Sequence, residues 1–252
     1  MIQFFRKIRY NNMEKKETGK YFKYAIGEII LVVLGILIAL LISDWNSGRL
    51  DENRNKELLR KLSKELDLNI ERSNLLIRSE DNVFRARYRY TDSILKLLES
   101  KPEKEALNYM TSKEIFFVNA FNLNSSVFQQ LKNSSRLYTV GSDSLVTEIQ
   151  LYYQLCDRDS FYNLSYSQIA LDFEKECNIG WNDFKYMYLK NPGKALKYHK
   201  WIFDSRSENF IYFRQYVNFA NGHSALMLKK LTKIINESKK LKKRIAQELE
   251  TL

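Results

Sequence analysis

Polar residues nearly vanish between Tyr24 and Ser43, where Glu28 is the one charge and Ile29 to Ile42 has no polar side chain. That inner stretch rises roughly 21 Å as a helix, and extension to Tyr24 and Ser43 brings it to the roughly 30 Å of a hydrocarbon layer. Tyr21 and Tyr24 before the run and Trp45 after it have the amphipathic rings of membrane-interface anchors. The pattern predicts a transmembrane helix over 24–43. A cleaved signal peptide is the rival reading. However, Ala39-Leu-Leu-Ile-Ser-Asp-Trp45 lacks small residues at alternate positions, and the apolar run is long, so an uncleaved signal anchor is expected.

Beyond Asn46-Ser47-Gly48, which reads as a polar hinge, apolar positions recur every three or four residues. Leu59, Leu62, Leu66, Ile70, Ser73 and Ile77, then Phe84, Tyr88, Thr91, Leu95 and Leu98, predict a helix from about 51 to 100, stopped by Pro102. Met227, Leu231, Ile234, Ser238, Leu241, Ile245, Leu249 and Leu252 keep the same coiled-coil rhythm. The aromatic stretch Phe210 to Phe219 extends that element back to about 206, with Asn221-Gly222 as a kink or break. A single-residue-wide stripe on a helix of roughly 75 Å needs a partner to cover it. The first and last long helices are therefore expected to pack antiparallel, returning the C-terminus towards the membrane.

Shorter helices are expected between them. Thr111-Ser-Lys-Glu114 has capping-box spacing, Ser125 or Ser126 can cap a second helix, and Ser142 or Asp143 a third that runs through Tyr153. Gly180 and Asn191-Pro192-Gly193 mark turns, and Arg136 to Val140 reads as briefly extended. The expected fold is all-α: one N-terminal transmembrane helix followed by an elongated antiparallel helical bundle. Residues 1–23 form a basic cytoplasmic segment and 44–252 a helical extracytoplasmic domain.

Composition agrees with this picture. Only 8 glycines and 2 prolines punctuate 252 residues, which favours long helices over sheets. A hydrophobic content of 44% with 28% charged residues excludes bulk disorder. Part of the net charge of +11 flanks the apolar run: Arg9, Lys15, Lys16, Lys20 and Lys23 precede it, while Arg49, Arg54 and Lys56 follow. This bias places the N-terminus in the cytoplasm and the main domain in the periplasm of a Gram-negative cell. A second basic run contains Lys229, Lys230, Lys233 and the cluster Lys239, Lys240, Lys242, Lys243 and Arg244. It is either a patch for anionic lipid or an envelope surface, or a solvated face paired with Glu57, Glu65, Asp67 and Glu71. Nucleic acid is not an expected partner outside the cytoplasm.

Few residues suggest chemistry. Glu28 is a carboxylate inside the membrane run, and Gly35, Ala39 and Ser43 form a small-residue stripe; together they are candidates for membrane helix association. Cys156 and Cys177 could form a disulfide in an oxidising compartment or stay free. His199 near Asp204, or His223 beside a serine, could be imagined as catalytic parts. No nucleophile motif, phosphate loop or metal-ligand spacing supports them, so no enzyme, cofactor or metal is expected. Phe116, Phe117, Tyr152, Tyr153, Tyr162, Trp181, Tyr186, Tyr188, Trp201, Tyr212 and Phe213 either fill a core or line a pocket for a small-molecule ligand.

The opening residues also carry a distinctive pattern. Phe4-Phe-Arg-Lys-Ile-Arg9, Thr18-Gly-Lys-Tyr-Phe-Lys-Tyr-Ala-Ile-Gly-Glu28 leading to Leu40, and Trp45-Asn46 resemble a bacterial membrane-protein family, the domain-of-unknown-function family numbered 6090. A looser likeness covers Val127-Phe-Gln-Gln-Leu-Lys132, Leu137 and Tyr152-Tyr153. The chain departs from that pattern at Leu41-Ile42-Ser43-Asp44, and at Ser134-Ser135-Arg136, where a glycine turn is common. The resemblance implies a membrane location and a helical domain, and no activity. The expected role is a non-catalytic interaction or scaffold module whose partners are membrane lipid and other envelope proteins or itself. A ligand-sensing bundle is the alternative from another class.

Overall fold

The computed structural model describes residues 18–78, 83–100 and 102–251, and among them every regular element is helical. The fold is all-α. Helix α1 spans Thr18–Arg78, α2 Phe84–Leu97, α3 Lys104–Thr111, α4 Ser126–Asn133, α5 Asp143–Cys177, α6 Asp183–Lys190, α7 Pro192–Tyr198 and α8 Glu208–Thr251. The chain divides into two compact units, Met1–Asn55 and Lys56–Leu252.

In the first unit, the described residues belong to α1. From Ile29 to Ile42 every large apolar side chain is between 47% and 68% exposed. At about 1.5–3 kcal/mol per side chain, leaving these twelve in water is unfavourable by on the order of 20 kcal/mol. The helix is long and apolar enough to cross a membrane. Asn46-Ser47-Gly48 is not a hinge, because α1 runs through it without a break. One exposed glycine costs a helix only about 1 kcal/mol, too little to stop it between good helix formers.

In the second unit, two apolar clusters form the core. One joins Leu59, Leu62 and Leu66 of α1 to Leu131, Ile149, Tyr153, Leu231 and Ile234. The other joins Ile94 and Met110 to Trp181, Phe184, Phe213 and Val217. The order of contacts is antiparallel: Asp67 meets Lys242, Phe84 meets His223, and Tyr88 and Thr91 meet Asn221. The three-four rhythm of the two long elements thus does what its pattern required. Helix α8 is nevertheless unbroken at Asn221-Gly222. There Asn221 donates to the Tyr88 carbonyl and Thr91 Oγ1, each at 3.0 Å.

Several local expectations are corrected. The helix expected over 51–100 is two, since α1 ends at Arg78 and α2 begins after an extended Val83. Residues 79–82 between them lie outside the described residues. Thr111-Ser-Lys-Glu114 does not start a helix. Thr111 is the last residue of α3, its hydroxyl bonds back to the Leu107 carbonyl at 2.8 Å, and Glu114 pairs with Lys185 at 2.6 Å. Arg136–Tyr138 is a 3-10 turn rather than an extended segment. It follows Ser135 at φ 57°, in the left-handed region where glycine is preferred. Asn191 does cap α7, accepting from the Lys194 amide at 3.0 Å with Pro192 at the first helical position. Gly180 sits in a π-helical turn, Asn178–Asn182, where a Cβ would come within 3.1 Å of Asn209.

Candidate functional site

The buried face of α1 carries polar residues among its leucines. Glu65, Asn69 and Ser73 are all buried, at steps of four along the face that also holds Leu62, Leu66 and Leu76. Glu65 and Asn69 meet the irregular segment before α4 or the start of that helix, whereas the Ser73 hydroxyl has no hydrogen-bond partner among the described residues. Asn69 donates to the Asn124 carbonyl at 2.9 Å and accepts from the Asn124 amide at 2.6 Å. Arg72 donates to the carbonyls of Phe121 and Ala120 at 2.8 and 3.0 Å. Glu65 accepts from the Val127 amide at 2.6 Å, from Ser126 Oγ at 3.0 Å and from the Tyr153 hydroxyl.

Glu65 therefore caps α4 from another helix. Neither Ser125 nor Ser126 caps its own helix; the carboxylate takes the Val127 amide and complements the positive helix end, while Asn124 Oδ1 takes the Ser126 amide at 3.0 Å. The same device recurs at α5, where buried Glu248 of α8 accepts from the Ser142 amide at 2.5 Å and Ser142 Oγ at 2.9 Å. Tyr153 is stacked on Phe128 at 4.1 Å, and burial together with Glu65 pushes its hydroxyl pKa far up. It donates a proton to the bond without releasing it.

A second buried polar centre lies between α2 and α8. The Arg87 guanidinium stands 4.5 Å from the centre of the Phe116 ring, 5.0 Å from Phe117 and 5.3 Å from Phe84. Burial lowers its pKa to about 10. His223 lies against Phe116 at 5.3 Å and Phe84 at 5.8 Å. Burial first, then the charge of Arg87, lowers its pKa to about 4, against a smaller opposing effect of the Asn163 backbone.

The residues singled out from sequence are placed as follows. Gly35, Ala39 and Ser43 are exposed on the apolar stretch of α1, and a Cβ at Gly35 would meet nothing within 4 Å. Glu28 on the same stretch is partly covered. Trp45 is exposed, with Arg49 over its ring at 5.5 Å. The side chains of Tyr21 and Tyr24 lie outside the described residues. In the basic run, Lys242 pairs with Asp67 and Arg244 with Glu148, whereas Lys239, Lys240 and Lys243 are exposed. Of the acids expected to face that run, Asp67 does so; Glu65 is a buried cap and Glu57 pairs with Lys61 at 2.6 Å in its own helix. Lys230 instead reaches buried Asp159 at 2.7 Å.

Cys156 is a buried free thiol, its pKa raised to about 12, chiefly by burial. Cys156 and Cys177 both lie in α5, where a separation of 21 residues corresponds to about 31 Å, against the roughly 7 Å limit for a disulfide. The bridge is excluded by helix geometry. His199 contacts Asp183 at 3.1 Å and accepts from the Trp201 indole at 3.2 Å, while Asp204 holds the Arg206 amide instead. Ser224, beside His223, bonds back to the Ala220 carbonyl at 2.8 Å. No cluster of three or more metal-ligating side chains occurs among the described residues.

Of the central aromatics, Phe116, Trp181, Tyr188 and Phe213 lie in the second core cluster with Trp201 and Tyr212 packed against it, Tyr152 and Tyr153 belong to the first, and Tyr162 and Tyr186 are exposed. A groove of about 370 Å³ lies elsewhere, between α5 and α8, lined by Glu148, Arg158, Lys233, Glu237 and Lys240 around Tyr152 and three leucines. It takes one ring, Tyr152, from the aromatic set. The fold and these sites define an all-α protein with one membrane-length apolar helix and a bundle whose buried charges brace its own segments. No family model, curated protein or solved structure matches the chain.

Proposed function

We propose that this chain is a membrane-anchored, non-catalytic interaction or scaffold module of the bacterial cell envelope. The observation that carries the proposal is the bare apolar stretch of α1, which stays exposed among the described residues. Lipid, or another helix within lipid, supplies its cover. The anchor sits in the inner membrane with the N-terminus cytoplasmic, as the lysine and arginine balance around it favours, and the helical bundle is periplasmic. The likeness of the anchor to the domain-of-unknown-function family numbered 6090 fits the same reading. The buried carboxylates act as braces, which gives a shaped, stable surface and no reacting group.

In-cell crosslinking of the full chain followed by purification tests the proposal. A reproducible complex, with itself or with another envelope protein, is expected. Recovery of monomer alone refutes the interaction role, and extraction of the intact chain by alkaline carbonate refutes the anchor. Exposure of Lys239, Lys240 and Lys243 favours a second reading, adhesion to anionic lipid. Charge reversal at those three lysines would then abolish binding to phosphatidylglycerol vesicles, and unchanged binding excludes it. A ligand-sensing bundle has less support, because the aromatic rings it needs are divided between two packed clusters and exposed positions rather than gathered around one cavity.

A further inference from the structure

Between Phe184 and Phe203 the chain has five lysines and no aspartate or glutamate. This segment folds as a short hairpin of α6 and α7, in which His199, just after α7, meets Asp183 at the start of α6. Its inner side is fixed by packing: Phe184, Tyr188 and Ala195 belong to the second apolar cluster, and Leu196 packs against it. Helix period then turns Tyr186, Leu189 and Lys190 of α6 away from the cluster, together with Lys194, Lys197 and Tyr198 of α7. All six are exposed, as is Lys200 in the turn that follows.

The flanking acids do not balance this charge. Asp183 contacts His199 at 3.1 Å, and Asp204 accepts from the Arg206 amide at 3.0 Å. Of the five lysines, Lys185 pairs with a carboxylate, Glu114; among the described residues the other four do not. Four like charges on two helices at most about 12 Å long favour an anionic partner. Apolar content narrows its chemistry. Leu189 is 65% exposed, Tyr198 69% and Tyr186 59%. The Lys190 ammonium stands 4.2 Å from the centre of the Tyr186 ring, and that of Lys194 5.9 Å from Tyr198. A soluble polyanion gives an exposed leucine nothing to bury against. The boundary of an anionic bilayer serves all three residue types: phosphates meet lysines, tyrosine rings lie at headgroup level, and leucine reaches acyl chains.

We propose that the outer face of the α6–α7 hairpin docks on an anionic phospholipid surface. Lys190, Lys194, Lys197 and Lys200 meet the phosphates, while Tyr186, Leu189 and Tyr198 enter the headgroup layer. The surface is separate from the lysine cluster of α8. Trp201, just after the hairpin, lies 6.1 Å from Phe213, and Phe213 and Lys240 are 27 residues apart on α8, which corresponds to about 40 Å. The inference needs no partner protein and is independent of the proposed scaffold role.

The test uses the full chain in phosphatidylcholine nanodiscs, which cover its apolar helix, and reads the capture of added vesicles by flotation. Phosphatidylglycerol vesicles should be captured and phosphatidylcholine vesicles not; equal capture of both, or of neither, overturns the proposal. Lys190→Gln, Lys194→Gln and Lys197→Gln together should weaken capture about a hundredfold, at roughly fivefold per lysine. Charge reversal at Lys239, Lys240 and Lys243 should leave it unchanged, and the opposite pattern assigns docking to α8 and overturns this site. Tyr186→Ser with Leu189→Ser, both at exposed positions, keeps every lysine and should still weaken capture by about tenfold or more. Undiminished capture by that variant marks a plain polyanion site and refutes the lipid assignment.

Discussion

The carboxylate of Glu65 holds α4 to α1, and its removal gives a quantitative test of that arrangement. In Glu65→Gln the volume stays, but one acceptor oxygen becomes a donor. The Val127 amide and the Tyr153 hydroxyl must then compete for a single neutral oxygen. Ser126 retains Asn124 Oδ1 at 2.8 Å, so its loss adds little. A lost helix cap costs about 1 kcal/mol and an orphaned buried hydroxyl about 1–3 kcal/mol. Recovery of the carboxylate's desolvation offsets part of this, which leaves an expected loss of about 2 kcal/mol for Gln. Glu65→Ala should lose about 3 kcal/mol, since it also leaves a small cavity. Tyr153→Phe removes the donor instead and should cost about 1.5–3 kcal/mol, because its acceptor is charged. The two residues share one bond, so the double variant should lose less than the sum, with a coupling of about 1–2 kcal/mol. Urea unfolding of the full chain in uncharged detergent, followed by near-ultraviolet circular dichroism of the tyrosines, measures all four. A coupling near zero, or a Glu65→Gln midpoint equal to wild type, would show that the carboxylate does not fasten α4.

Ser135→Gly should stabilise the bundle by about 0.5–1 kcal/mol, read as a higher urea midpoint, because the left-handed φ of 57° penalises a Cβ. His223 has a folded pKa near 4, below its unfolded value, so its contribution is full above pH 6.5 and is lost as pH falls towards 4. The loss is at most about 3 kcal/mol, and His223→Leu should flatten that part of the stability profile. Gly141→Ala should destabilise by about 1–2 kcal/mol in thermal melts: its Cβ would stand 2.9 Å from Leu145 Cδ2 and 3.0 Å from Glu248 Oε1, pushing the cap off α5.

What the sequence determined by itself is whatever rests on local periodicity. A run without polar residues defines an apolar helix, and the three-four steps of Leu59 to Ile77, Phe84 to Leu98 and Met227 to Leu249 mark faces that the bundle mostly buries, with Tyr88 exposed as the exception. Helix period is a property of the backbone, so one strand of residue names is enough to read it. Asn191-Pro192-Gly193 was legible as a break in the chain's helices, while the cap that Asn191 places on α7 was not anticipated.

The tertiary structure decided which polar groups serve which ends. Glu65 reads as an outward acid available to lysines, yet its neighbours Leu62 and Leu66 turn it inward to the α4 terminus. The available signal was Glu65, Asn69 and Ser73 falling in step with the leucines. Thr111-Ser-Lys-Glu114 has the spacing of a cap and makes none, because a helix end takes whichever carboxylate the packing brings near, and Lys185 had already claimed Glu114. Cys156 and Cys177 look like a pair until one helix holds them about 31 Å apart. Hydrogen bonds and charges act across a few ångströms between residues as many as 175 positions apart, as with Asp67 and Lys242, and that proximity exists only once the apolar stripes have come together.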